Sequence, residues 1–248
     1  MHILFMSSGV RCDEAQFPEL LALLDRARDQ LDFRVRPALF LGESPFPNAM
    51  TTGVEKPLVV VHSALLDALD DEEIVAVLAH ELGHLQANHQ LYQAMAQILL
   101  LGGSLFFAAL RVLTFPLQKA LLKWARCAEL TADRAGLLAT RDLVTAIKVD
   151  MKLAGGSRPG MLLRTRMKLV PFIEQARELA RMETDSWLDS LVAMLLVMDR
   201  QHPFAAWRVM HLIDWVEHGN YLDILAGNYT RRPEEAVGAE AGSAPASA

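Results

Sequence analysis

Five consecutive residues, His80-Glu81-Leu82-Gly83-His84, hold the residue types that hydrolytic metal chemistry needs. Residues four apart share one face of a helix, so His80 and His84 would turn two imidazoles toward one point, with Glu81 beside them. Neutral imidazole nitrogen is a good zinc ligand, and catalytic zinc takes three protein ligands and keeps a fourth position for water. A carboxylate next to that water can take its proton as the oxygen attacks a carbonyl, while the metal polarises the carbonyl and lowers the pKa of the water. The bland alternative is a helix with two solvated histidines. Gly83 weighs against it: glycine inside a helix costs about 1 kcal/mol relative to alanine, which implies close packing or room for a site.

Two histidines leave one protein ligand to find. Glu129 and Asp133 lie downstream, again four apart on one helical face. Glu129 would ligate the metal, and Asp133 could accept a hydrogen bond from the far ring nitrogen of a bound histidine and so fix its tautomer. Taken alone, the pair is more readily an exposed acidic pair with Arg126 reaching Glu129 at i,i+3. A motif that requires a carboxylate favours the ligand reading.

The run Leu69-Asp70-Asp71-Glu72-Glu73-Ile74-Val75-Ala76-Val77-Leu78-Ala79, leading into His80–His84, and the stretch from Arg126 to Gly136 resemble the gluzincin peptidases of the HtpX and CAAX-prenyl-protease type. The resemblance extends from about Asn48 to Arg208. It implies a zincin-like peptidase domain with a small sheet, an active-site helix and a glutamate helix. It further implies one Zn2+ per chain held by His80, His84 and Glu129, with Glu81 as general base, Asp133 as the partner that orients a ligand, and a peptide or protein as substrate. Asn48-Ala49 resembles the edge strand that lies beside the substrate in this family, and an edge strand can hold an extended peptide through backbone hydrogen bonds. His202-Pro203 with Arg208 resembles the family's His-Pro-x-x-x-x-Arg element. On that likeness His202 stabilises the oxyanion or binds substrate, and Arg208 nearby is a substrate-binding residue; a His-Pro turn before an ordinary helix is the equal alternative. His89 stands where relatives often have histidine, but at about 140° round the helix from His84 it should not ligate the same metal.

The elements that must position these residues are legible from periodicity. Apolar residues at helical spacing predict an N-terminal helix over 14–31, with Pro18 acceptable near its first turn. Strands are expected over 33–41, 48–52 and 58–62. Asp70 is an expected N-cap with Glu73 completing a capping box, and acidic residues fill the first turn of the motif helix. That helix is expected to run toward Leu101, with Gly102-Gly103 weakening it and Pro116 ending whatever follows. Further helices are expected over 117–138, 142–153, 171–181, 186–198 and 204–217. The class is α+β, mostly helical, as one domain over 1–229 with a disordered tail over 230–248.

Composition bounds the rest. The chain has 248 residues, 52% hydrophobic and 22% charged, with a net charge of −6, so one sizeable core is expected. No basic run marks a nucleic-acid partner. Cys12 and Cys127 make no disulfide framework, and Cys127 is expected to fill core space. The N-terminus lacks a signal-peptide pattern, so a cytoplasmic chain is expected. The segment 91–110 has no charged residue and nears the ~20 residues of a membrane span. A single crossing would separate His84 from Glu129, and Lys119, Lys123 and Arg126 make a return span costly. An apolar hairpin over 91–128 is therefore expected, buried or touching a membrane surface through 91–115. A metal-stabilised interaction module without turnover, docking at such a surface, is the alternative to an enzyme. Glu81 discriminates, since a structural site needs ligands but no base.

Overall fold

The computed structural model describes residues 2–53, 56–89, 108–155, 166–181 and 205–229. A short helix α1 (His2–Ser8) and strand β1 (Val10–Cys12) lead into helix α2 (Pro18–Gln30). Strands β2 (Ala38–Gly42), β3 (Ala49–Thr52) and β4 (Leu58–His62) follow, then helices α3 (Ser63–Ala68) and α4 (Asp71–Gln86). The remaining described helices are α5 (Ala108–Thr140), α6 (Leu143–Gly155), α7 (Leu169–Arg181), α8 (Ala205–His218) and α9 (Tyr221–Leu225). The expected mostly helical α+β class is what the structure has.

The sheet has the order β1-β2-β4-β3 and is mixed: β2 and β4 run parallel, and the two outer pairs are antiparallel. The β-branched run of β4 is buried on both faces, as its continuous apolar sequence requires. Val59 and Val61 join the main core with Leu24 of α2 and Leu78 and Leu82 of α4, while Leu58 and Val60 pack with Phe40 on the other face. β3 is left at the edge.

The motif helix begins where its cap is written. The Asp70 side chain accepts from the Glu73 backbone N–H at 3.0 Å, and the Glu73 carboxylate accepts from the Asp70 N–H at 2.9 Å. Glu73 is itself buried and pairs with Lys152 of α6, tying the start of α4 to that helix. α4 and α5 approach closely through small residues. A Cβ built on Gly83 would lie 2.8 Å from the Ala135 Cβ, and one on Gly136 would lie 2.9 Å from the Ala76 carbonyl oxygen. The glycine at position 83 is thus explained by packing, and this contact sets the ligand-bearing helices side by side.

Several expectations need correction. The strand expected over 33–41 is confined to Ala38–Gly42, because Pro37 supplies no N–H for a ladder. α4 ends at Gln86 instead of running toward Leu101; Asn88 adopts a left-handed backbone, φ 54°, which breaks the helical repeat. Conversely, α5 runs through Pro116. A proline there removes one i→i−4 bond at a cost of about 3 kcal/mol, a local loss set against the packing of the helix's C-terminal half on α4. Cys127 is exposed and fills no core. The helix expected over 186–198, the tail 230–248 and the tip of the hairpin lie outside the described residues. Among the described residues, no helix is long and apolar enough to cross a membrane.

Candidate metal centre

α4 presents His80 and His84 on one face, and α5 brings Glu129 opposite them. The two Nε2 atoms are 3.2 Å apart; Glu129 lies 3.7 Å from His80 Nε2 through one carboxylate oxygen and 3.5 Å from His84 Nε2 through the other. These three are the group among the described residues whose donor atoms converge closely enough for one ion. Ligands at 2.0–2.1 Å in a tetrahedron stand roughly 3.3–3.4 Å apart; the two Nε2 atoms are close to that spacing, and the Glu129 oxygens lie a few tenths of an ångström beyond it.

Each histidine has a partner for its other nitrogen. His80 Nδ1 lies 3.0 Å from Asp133 Oδ1, the geometry that places the ring proton on Nδ1 and leaves Nε2 a lone pair. Burial opposes charge on His80, yet the Asp133 carboxylate outweighs it and holds the ring's pKa above its ordinary value. His84 Nδ1 lies 2.9 Å from His89 Nδ1. Burial, helped by the neighbouring His80 and His89, pushes His84 well below the ordinary histidine range, so this imidazole is neutral.

Glu81 is buried next to the pair. Desolvation raises its pKa to about 7, His80 opposes that rise, Glu129 adds to it, and the Thr51 side chain of β3 hydrogen-bonds the carboxylate. A carboxyl in that range sits where a general base is most useful near neutrality.

Beneath Asp133 lies Arg208, from α8. Its Nε donates to Asp133 Oδ2 at 2.7 Å and its Nη2 to the other carboxylate oxygen, so the pair is bidentate and buried. Asp150 of α6 stands 3.3 Å from Nη2, and Nη1 comes within 3.9 Å of Glu129. Burial pushes Asp133 up, but the Arg208 charge and hydrogen bonds overcome this and hold it well below the usual carboxylate range. Burial also raises Asp150, with Arg208 opposing the shift and Asp133 reinforcing it. Four carboxyl groups, Glu81, Glu129, Asp133 and Asp150, therefore gather near one guanidinium among the described residues, and a divalent cation bound there would favour their ionised forms. A cavity of about 40 Å³ borders this cluster, lined in part by Val77, His80, Glu81 and Asp150.

The structure thus brings together His80, Glu81, His84, Glu129 and Asp133. It sets Arg208 behind Asp133, where it is 4% exposed, and not at an open substrate surface. His202 lies outside the described residues. Asn48 is buried, its carbonyl accepts from the His62 N–H at 2.9 Å, and its side-chain oxygen meets no partner among the described residues. That bond makes Asn48 and His62 a hydrogen-bonded pair. Opposite residues alternate in an antiparallel ladder, so the N–H and C=O of Ala49 and of Thr51 point outward from the sheet edge. Two residues were missed as site members. Asp150 interrupts the apolar stripe of α6, a charged residue where core is expected, and that was its signal. His89 depends on the turn at Asn88, which helical geometry over 80–89 does not foresee.

Comparison with known proteins agrees with this geometry. The chain is 34% identical over 222 residues to the plastoglobule-localized metallopeptidase 48, chloroplastic, of Arabidopsis thaliana, covering 89% of this chain and 63% of that protein. It is 29% identical over 179 residues to a protease HtpX homolog of Salinibacter ruber, covering 63% of this chain and 64% of the relative. The chain therefore spans a little under two thirds of the length of these relatives. The model of peptidase family M48 matches residues 14–216, a segment that contains both ligand helices, and the chain belongs to that family.

Proposed function

We propose that this chain is a zinc-dependent endopeptidase in which His80, His84 and Glu129 hold the metal and Glu81 is the general base. The observation that carries the reading is the convergence of the two Nε2 atoms, 3.2 Å apart, with the Glu129 carboxylate 3.5–3.7 Å from them and the buried Glu81 beside them. Zinc bound there would polarise the substrate carbonyl and acidify water. Glu81 takes the proton of the attacking water and delivers it to the leaving amine. Asp133 keeps His80 in the tautomer that turns Nε2 inward, and Arg208 keeps Asp133 charged. The outward backbone groups of Ala49 and Thr51 align an extended peptide or protein substrate along β3, with Asn48 at the head of the strand. His202 is proposed to stabilise the oxyanion on the strength of the sequence alone. Cytoplasmic localisation, with the 91–115 segment at a membrane surface, likewise rests on the sequence alone.

The test is cleavage of a broad peptide mixture by purified zinc-loaded protein and by Glu81→Gln. The expected outcome is cleavage by the wild type and a loss of at least about 100-fold in the variant, the contribution typical of a positioned general base, with zinc content unchanged. Equal cleavage by both proteins refutes the mechanism.

A further inference from the structure

The two ligand histidines are held by different kinds of partner. His80 gives its Nδ1 proton to a carboxylate, Asp133. His84 has no carboxylate at Nδ1; that atom faces Nδ1 of a second imidazole, His89, at 2.9 Å, with the rings at 70°. His89 is 7% exposed and reaches this place because α4 stops. The Ala87 N–H bonds back to the Gly83 carbonyl, and the Asn88 N–H to that of Leu85. Asn88 then turns left-handed, which brings the next side chain back onto the helix. His89 also meets Trp124 of α5 at 5.4 Å and 89°, an edge-to-face contact. His89 is thus wedged between the histidine helix and the glutamate helix.

Only one arrangement of protons suits a metal at His84 Nε2. A hydrogen bond between two Nδ1 atoms needs one donor and one acceptor. If His89 donated, a neutral His84 would carry its proton on Nε2, aimed at the ion. If His84 donates, Nε2 keeps its lone pair and His89 carries its own proton on Nε2. We infer that His89 is a positioning residue for the metal centre: its Nδ1 accepts the His84 Nδ1 proton and thereby fixes the ligating tautomer and ring angle of His84. The inference rests on the metal site proposed above. It also makes the two histidines unequal as ligands, since a carboxylate acceptor draws the His80 proton more strongly than a neutral imidazole draws that of His84.

The test uses side chains that place an acceptor at one ring position or the other. His89→Asn sets an oxygen near the Nδ1 position, His89→Gln sets one near Nε2, and His89→Leu has the shape of asparagine without an acceptor. Zinc affinity is measured on the full chain by competition with a chromophoric chelator, and the cobalt-substituted proteins are compared by their visible absorption. His89→Asn is expected within about 3-fold of wild type, and His89→Gln and His89→Leu 10–100-fold weaker, the range seen for lost outer partners of metal ligands. A cobalt spectrum like that of the wild type is expected for asparagine alone. Equal losses in all three variants, or none in any, would overturn the inference. If the leucine variant does not fold, the asparagine–glutamine pair decides it. Failure of the wild type itself to bind zinc would instead overturn the metal reading on which this one stands.

Discussion

Replacing Gly83 with alanine should destabilise the protein even though alanine is the better helix former. The added Cβ would lie 2.8 Å from the Ala135 Cβ and 3.2 Å from the Ala132 Cα. Carbon atoms prefer about 3.5–4.0 Å, so α4 and α5 must part by roughly 0.7 Å or deform. Neither neighbour is a flexible side-chain end that could swing aside. Overpacking of this kind costs about 1–3 kcal/mol, and the gain in helix propensity returns about 1 kcal/mol. A net loss near 1 kcal/mol is expected in urea unfolding of the metal-free protein. A helix displacement of that size also exceeds the tolerance of about 0.2 Å in metal–ligand distances, so zinc affinity should fall with stability. Ala135→Gly removes the closest clashing atom. The double variant should therefore be more stable than the sum of its parts, with a coupling of about 1–2 kcal/mol, within the range for residues in contact. A Gly83→Ala protein stabilised by its full helix propensity, with an additive cycle, would refute the account of why a glycine stands inside the motif.

Arg208→Met should cost about 3–5 kcal/mol, because it strips the buried Asp133 carboxylate of its bidentate cation; chemical denaturation measures it, and a cost below about 1 kcal/mol would mean the guanidinium is not holding the cluster. Asp133 also sets a pH dependence. Its folded pKa lies below its ordinary 3.8, chiefly because Arg208 and His80 outweigh burial. The stabilisation it contributes is therefore complete above that value and is lost as pH falls through the folded one. Acid unfolding should be flatter below pH ~4 in Asp133→Asn than in the wild type, and identical slopes would contradict the pairing.

How much of this was visible beforehand depends on how local each feature is. His80, Glu81 and His84 lie within a single helical turn and a half, so spacing alone puts them together. The Asp70–Glu73 box is local too, and the start of α4 falls where it is written. Glu129 needed more: an acidic pair at i,i+4 is common, and only a motif one ligand short of a metal site singles it out, with the family likeness in support. Arg208 was tied to substrate by that same likeness, whereas its burial against Asp133 follows from how α8 packs on α5 and α6. Asp150 was overlooked because nothing near it in sequence hints at a cation 58 positions away. His89 was set aside on helical geometry, and one left-handed residue, Asn88, invalidates that geometry. The short elements α1, β1 and α3 carry too few periods for pattern to reveal them. The small-residue contact of Gly83 with Ala132 and Ala135 was foreseeable only as a hint, since the partner helix cannot be read from the glycine itself.

Zinc K-edge X-ray absorption of the purified, zinc-loaded chain tests the central claim most directly, because it reports the ligands without requiring turnover. The account predicts a first shell of nitrogen and oxygen near 2.0–2.1 Å, with the multiple-scattering signature of two imidazoles and no sulfur. A sulfur shell near 2.3 Å, or a shell with no imidazole signature, would contradict a site built from His80, His84 and Glu129.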